Sequence, residues 1–197
     1  MSSFTDLWRW LVLFAWLGWF MYYWSAGKRA LADLKKAAQP DHPPLDKWLM
    51  IIIGVMFAIV LVSALLINLN ILRVNPALDW LSWPGALLVF CGMIGTLYSR
   101  SVLGQFWTAD TVVQDEHQII DRGPYGIVRH PIYTAVSVQL IGTMLVYPTL
   151  LIFGFAWTAV MCYALKANLE DDYLTQHLPG YEDYRQRVKY RLIPKVW

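Results

Sequence analysis

The stretch WLMIIIGVMFAIVLVSALLINL, residues 48–69, runs for 22 positions without one charge. A helix rises about 1.5 Å per residue, so this run matches the ~30 Å of hydrocarbon in a bilayer. Residues 80–98 repeat the pattern with 19 uncharged positions, and residues 7–24 hold a single charge, Arg9. One such run also suits a buried helix of a soluble protein; three in succession do not. Composition agrees. Of the 197 residues 57% are hydrophobic and 15% charged, where soluble domains average roughly 45–50% and about 25%.

The last apolar stretch is built differently. Residues 132–165 carry no charge for 34 positions but are interrupted by Pro148. Proline has no N–H and disfavours helix in the residue before it. The stretch therefore reads as a helical hairpin turning at Tyr147-Pro148-Thr149. Its first arm, residues 132–147, spans about 24 Å, short for a crossing and in need of shielding by protein. The expectation is an all-α, multi-pass integral membrane protein with about five transmembrane helices, the last two forming the hairpin. The run at 7–24 is too long for a signal-peptide core and has no Ala-x-Ala-like site after it, so it reads as a retained helix.

Charge gives the orientation. With these spans, 14 of the 16 Lys and Arg residues fall on one side, in residues 25–47, 99–131 and the tail from Lys166; Arg9 and Arg73 fall on the other. The positive-inside bias assigns the first side to the cytoplasm. The net charge of +2 hides this polarity and, without a stacking motif or basic helix, gives no sign of nucleic-acid binding. The two cysteines, Cys91 and Cys162, lie in apolar helices without redox or metal spacing and read as packing residues. The four histidines lack metal-ligand spacing, so no metal is expected.

Residues 1–98 read as N-terminal helices, a scaffold with a possible lipid groove. Nine aromatic residues crowd positions 8–24. Those near the ends suit an interfacial belt, while Trp16 and Trp19 either pack between helices or line a groove for a lipid chain. Residues 26–38 have helix-forming composition and extend the first helix along the membrane surface, until Pro40, Pro43 and Pro44 stop it. Residues 99–197 read as the catalytic region. A polar connection of 33 residues, 99–131, is too long for a plain loop, and its Asp121-Arg122-Gly123-Pro124 looks like a turn. The tail reads as a helix leaving the membrane, broken at Pro179-Gly180, then a short helix carrying Tyr181, Tyr184 and Val188.

Three polar clusters stand out: residues 114–120; Tyr125 with Arg129-His130-Pro131-Ile132-Tyr133; and Lys166 with Glu170-Asp171-Asp172. A hairpin returns its exit to the face of its entry, so the second and third clusters are expected to be neighbours. Ionisable groups gathered at a membrane boundary are functional candidates by default. Each also has a structural reading: Arg129-His130 as a headgroup anchor, the acidic run as a solvated helix face, Lys166 as a snorkelling lysine. Together they suit a small zwitterionic, cationic ligand, with carboxylates for an amino group or ribose hydroxyls. No glycine-rich phosphate loop, His-Glu-x-x-His or Gly-x-Ser-x-Gly is present.

The ordered set Val112-Val113-Gln114, His117-Gln118-Ile119-Ile120, Gly123-Pro124-Tyr125 and Arg129-His130-Pro131-Ile132-Tyr133 continues about 37 residues later with Glu170-Asp171-x-x-Leu174. It closes with Tyr181-x-x-Tyr184-x-x-x-Val188 and Leu192-Ile193-Pro194. This set resembles the isoprenylcysteine carboxyl methyltransferase family, and phospholipid N-methyltransferases share much of it. The resemblance covers residues of about 100–193 and implies a helical membrane enzyme using S-adenosyl-L-methionine in a cytosolic cofactor pocket. It implies cofactor binding by Gln114, His117, Gln118, Ile119, Ile120, Tyr125, His130, Pro131, Ile132, Tyr133, Glu170 and Asp171. It also implies a role for Lys166 toward the methyl acceptor. Two departures from the family are Glu170-Asp171 where Glu-Glu is usual, and Ala135 where glycine is common.

Transfer from a sulfonium to a carboxylate or thiolate needs no base, so the protein's task is alignment and exclusion of water. Lys166 would then hold the acceptor anion. An amine would need to lose a proton, with His130 or Glu170 as base. The acceptor is expected to be small or lipid-like, entering from the membrane lipids, with an isoprenylcysteine-type carboxylate among the candidates. Two other readings stand beside this one: a sterol-type reductase using NADPH, and a non-catalytic membrane scaffold.

Overall fold

The structure, a computed structural model, describes residues 2–34, 44–108, 111, 113 and 117–197. Gln114 and Val112, singled out above, lie outside the described residues, as do residues 35–43. Among the described residues the secondary structure is entirely helical: α1 (Ser2–Leu34), α2 (Pro44–Asn68), α3 (Ser82–Leu103), α4 (Pro131–Val146), α5 (Leu150–His177) and α6 (Tyr181–Arg187). Three 3-10 turns, Pro76–Leu81, Gly104–Phe106 and Gly123–Gly126, punctuate the connections.

Three segments are long and apolar enough to cross a membrane: Leu45–Asn68, Pro76–Phe106 and Leu150–His177. Helix α4 is a shorter apolar helix of 16 residues. In α1 the apolar character is diluted by Arg9 and by tryptophans and tyrosines, which prefer the interface to the hydrocarbon. The helix continues unbroken to Leu34, so the surface extension expected from residue 26 onward is part of α1 as far as it is described.

Local chemistry sets the boundaries. Asn75 accepts a hydrogen bond from the Ala77 N–H at 3.0 Å, and Pro76 follows, opening the turn before α3. Thr149 caps α5 by accepting from the Ile152 N–H, and proline beside it prevents α4 from running on. Helix α3 extends five residues beyond Tyr98, into sequence expected to be loop. Its inward face simply continues: Thr96 and Ser99 are buried and Leu103 half-buried, at the i, i+3, i+7 spacing of one helix stripe. Gly104, at φ +61°, ends it in a conformation that side chains rarely adopt.

Helix α3 packs most intimately on α4, α2 lies along α5, and α1 leans on α2 and α3. The core gathers Val12, Leu13 and Trp16 of α1, Ile53 and Phe57 of α2, Val89 of α3, Leu140 of α4 and Ala156 of α5. Trp16 belongs to this core, 2% exposed, and its indole N–H donates to Thr143 Oγ1 at 2.9 Å. Of the two cysteines, Cys162 packs against the core and Cys91 is exposed on α3.

The α3–α4 contact depends on absent side chains. A Cβ on Gly142 would stand 2.6 Å from Gly85 O, and one on Gly92 would stand 2.6 Å from Ala135 O. Small residues let helices approach backbone to backbone where apolar surface gains little from burial in lipid. At the end of the bundle holding Arg9, polar groups tie four elements together. Arg9 pairs with Asp79 at 2.8 Å and donates to Val146 O, Tyr147 donates to the Arg9 carbonyl, and Asn68 donates to Tyr147.

The glycine contact predicts a contrast. Gly142→Ala overpacks the interface and costs about 1–3 kcal/mol. Gly154→Ala, where a Cβ meets nothing within 4 Å, is neutral or stabilises by up to about 1 kcal/mol. Thermal unfolding of both variants in the same detergent checks the difference.

Candidate functional site

A cavity of about 630 Å³ opens where α1, α2, α4 and α5 meet the segment before α4 and the residues following α5. Ligand pockets fall in the range of about 300–1,000 Å³. One end is polar, walled by His117, Gln118, Arg129, His130, Lys166 and Glu170. The other is apolar and aromatic, walled by Trp19, Phe20 and Trp24 of α1 with Ile53, Gly54 and Phe57 of α2. Phe20 and Trp24 are 45% and 60% exposed, so the apolar end reaches the outer surface of the helices. On α5 the cavity face is Tyr163, Lys166, Glu170 and Leu174, one stripe at helical spacing.

The acidic run on α5 divides by helix geometry, since successive residues point about 100° apart. Glu170 faces the cavity, where its Oε2 accepts the Tyr133 hydroxyl at 2.5 Å and lies 3.9 Å from His130 Nδ1. Asp172 is exposed. Asp171 has no exposure at all and sits behind the wall. Its carboxylate accepts from Arg129 Nη2 at 2.6 Å, Tyr181 Oη at 2.8 Å and Arg191 Nε at 2.8 Å, and pairs with His130 Nε2 at 2.9 Å. A buried carboxylate survives only with such pairing. Arg129 also donates to Val188 O and Lys189 O, and the backbone N–H groups of Arg129 and His130 donate to Tyr190 O and Arg191 O. The chain after α6 is thereby laid against the start of α4.

With Asp171 accepting from Nε2, the His130 ring presents Nδ1 toward Glu170, a tautomer inferred from the network. The ring lies parallel to Tyr133, centroids 5.5 Å apart and planes within 5°. Entry and exit clusters are thus in direct contact through His130–Asp171 and Tyr133–Glu170.

Lys166 is 2% exposed, and its ammonium lies 2.5 Å from Asp46 Oδ1 and 3.1 Å from Thr111 Oγ1. Asp46 stands in the first turn of α2, where the helix dipole favours a carboxylate. Its other oxygen accepts the Thr111 N–H at 3.4 Å. The segment holding His117 to Ile120 is fixed from the far side by a small second core, in which Val113 and Ile119 pack on Leu178, Tyr181, Tyr184 and Val188. His117 stacks on Phe106 with centroids 4.8 Å apart. Burial holds its pKa below the usual 6.5, against an opposing pull from Glu170. Burial likewise pushes the Tyr125, Tyr181 and Tyr184 phenols far above their ordinary range.

Of the residues expected at the site, His117, Gln118, Ile119, Ile120, Tyr125, His130, Ile132, Tyr133, Lys166 and Glu170 line the cavity. Pro131 starts α4 beside it and Asp171 stands behind it; Gln114 lies outside the described residues. Sequence reasoning missed Asp46 and the contribution of α2 to the wall, while Trp19, one of the two tryptophans offered for a groove, lines the cavity. The one signal for Asp46 was a carboxylate just after Pro43-Pro44, at the head of a helix whose other charge is the adjacent Lys47.

The network around Asp171 predicts that Asp171→Asn is destabilising by about 3–5 kcal/mol, because two arginines lose their buried counter-charge. Asp172→Asn, at the exposed neighbour, changes stability by less than about 0.5 kcal/mol. Denaturation midpoints of the two variants separate these outcomes.

Comparison with known proteins matches the same region. The curated relatives include protein-S-isoprenylcysteine O-methyltransferase of Dictyostelium discoideum, 28% identical over 110 residues, covering 54% of this chain and 46% of the relative. They also include the nickel-cobalt-cadmium resistance protein NccN of Alcaligenes xylosoxydans xylosoxydans, 26% identical over 109 residues, 54% of this chain and 50% of the relative. The cobalt-zinc-cadmium resistance protein CzcN of Cupriavidus metallidurans is 25% identical over the same length, with the same shares. The match thus spans about half the length of these relatives. Among the described residues no group of three or more His, Cys, Asp or Glu side chains is arranged to hold a metal ion. The family model for phospholipid methyltransferase matches residues 80–179, which include α3, α4, α5 and every cavity-lining residue between them, and the chain belongs to that family.

Proposed function

We propose that this protein transfers a methyl group from S-adenosyl-L-methionine to a small or lipid-like acceptor, within the cavity between α1, α2, α4 and α5. The observation that carries the reading is the continuity of one cavity from a polar, histidine- and carboxylate-lined end to an aromatic end that reaches the lipid-facing surface. A water-soluble donor and an apolar acceptor need such a space, each entering from its own solvent. In this reading five helices lie in the membrane, α4 and α5 form a hairpin, and the cation-rich end faces the cytoplasm.

The lining fits the cofactor. Glu170 offers a carboxylate to the ribose or the amino group, the Phe106–His117 stack offers a flat surface for adenine, and residues 117–120 offer backbone donors and acceptors. Once bound, the cofactor supplies an electrophilic methyl on a sulfonium. The chain's own work is positional. Tyr133 holds Glu170, Asp171 holds His130 with Nδ1 toward the cavity, and closure by residues 117–120 excludes water. Bringing two reactants into line in this way is worth up to roughly 7–11 kcal/mol of barrier. His130 and Glu170 are the groups placed to take a proton from an acceptor that carries one. The NADPH reading has less support, since both cations on the wall, Arg129 and Lys166, are already paired and a 2′-phosphate would need a free one.

Calorimetry with S-adenosylhomocysteine on detergent-purified protein tests the proposal. Saturable binding is expected, weakened about tenfold or more by Glu170→Gln, which removes a charge-assisted hydrogen bond, and unaffected by Asp172→Asn. Binding of NADPH instead would overturn the reading.

A further inference from the structure

The charges on the cavity wall are already spoken for. Arg129 is spent on Asp171, Val188 O and Lys189 O. Lys166 has three N–H donors, of which Asp46 and Thr111 take two. Among the described residues, Glu170 is the wall carboxylate, with the Tyr133 hydroxyl as its donor. An acceptor that arrives as a carboxylate would meet Glu170 and, among the described residues, no unpaired lysine or arginine on the wall, since Asp46 behind it already neutralises Lys166. Placing like charges together in a site shielded from water is strongly unfavourable. An uncharged nucleophile meets no such penalty.

We infer that Asp46, which lies outside the residues matched to the family, sets the charge of the acceptor: by neutralising Lys166 it admits apolar-tailed molecules whose reacting end is uncharged and turns carboxylates away. The inference rests on the methyl-transfer reading for calling the guest an acceptor. In the step, the acceptor's lone pair forms a bond to the methyl carbon as the carbon–sulfur bond breaks, and that bond's electrons return to sulfur. The acceptor heteroatom, momentarily cationic, releases its proton to Glu170. Nothing in this sequence calls for an anion-binding ammonium. Lys166 serves instead as a fixed donor whose charge Asp46 balances.

A purely structural role for Asp46, joining α2 to α5, predicts only lost stability when it is changed. The test is competition between decanol and decanoate for a photoactivatable alkyl alcohol bound to the full chain in nanodiscs. In the unmodified protein decanol competes and decanoate is weaker by about tenfold or more, the scale of an unbalanced charge at a desolvated site. Asp46→Asn frees Lys166, so decanoate gains about tenfold while decanol is unchanged; the gain disappears in the double variant Asp46→Asn/Lys166→Met. Equal competition by the two probes in the unmodified protein, or a folded Asp46→Asn variant with unchanged preference, overturns the inference. Should Asp46→Asn fail to fold, the unmodified protein's preference decides alone. Binding of S-adenosylhomocysteine to the same samples is read separately. Its absence would remove the methyl-transfer reading, and the charge preference would still be judged on the alkyl probes.

Discussion

A single carboxylate, Asp171, holds the functional end of this molecule together. It is fully buried on α5 and gathers Arg129 and His130 from the entry of α4, Tyr181 from α6 and Arg191 from the tail. Burying a carboxylate costs several kcal/mol unless charge and hydrogen bonds compensate, so these four groups are held to one place. The consequences spread outward. His130 is fixed in orientation beside the cavity, Arg129 carries the tail on two carbonyls, and α6 is placed where it packs against Val113 and Ile119. The cavity therefore has a rigid floor built from side chains far apart in sequence.

The opposite wall follows a different rule. Helices α3 and α4 approach through glycines, which brings the bundle into contact without large interlocking side chains, as suits packing inside lipid. Trp19 and Phe20 of α1 with Gly54 and Phe57 of α2 line the apolar part of the cavity. The Asp46–Lys166 pair marks the junction of the two regimes. It ties the first turn of α2 to the middle of α5 and, through Thr111, to the segment covering the polar end. The N-terminal helices thus contribute to the site as well: α1 and α2 supply part of the cavity wall and the counter-charge of its lysine.

Much of this was legible in the residues. Uncharged runs near 48–69 and 80–98 foretold α2 and α3, since hydropathy over about 20 positions is a one-dimensional property of the chain. Pro148 and Gly180 marked breaks because their backbone constraints are local. The clustering of His130, Tyr133 and Glu170 followed from the two ends of one apolar stretch. What could not be read was the partner of each group. Glu170 and Asp171 are adjacent and chemically alike, yet the turn of the helix sends one to the cavity and buries the other. Trp16 and Trp19 offered the same two alternatives and divided between them, Trp16 in the core and Trp19 on the cavity wall. Asp46 was passed over because its partner lies 120 positions away, and no local pattern encodes a contact of that range.

The most direct measurement is transfer itself. Purified protein in nanodiscs made from native membrane lipids is incubated with S-adenosylmethionine carrying a tritiated methyl group, and the organic extract is counted. The account predicts protein-dependent label in an extractable, apolar product, abolished by Glu170→Gln. Label confined to the aqueous phase, or none above the protein-free control from a folded sample that binds S-adenosylhomocysteine, would contradict a cavity that joins a soluble donor to an acceptor drawn from the membrane.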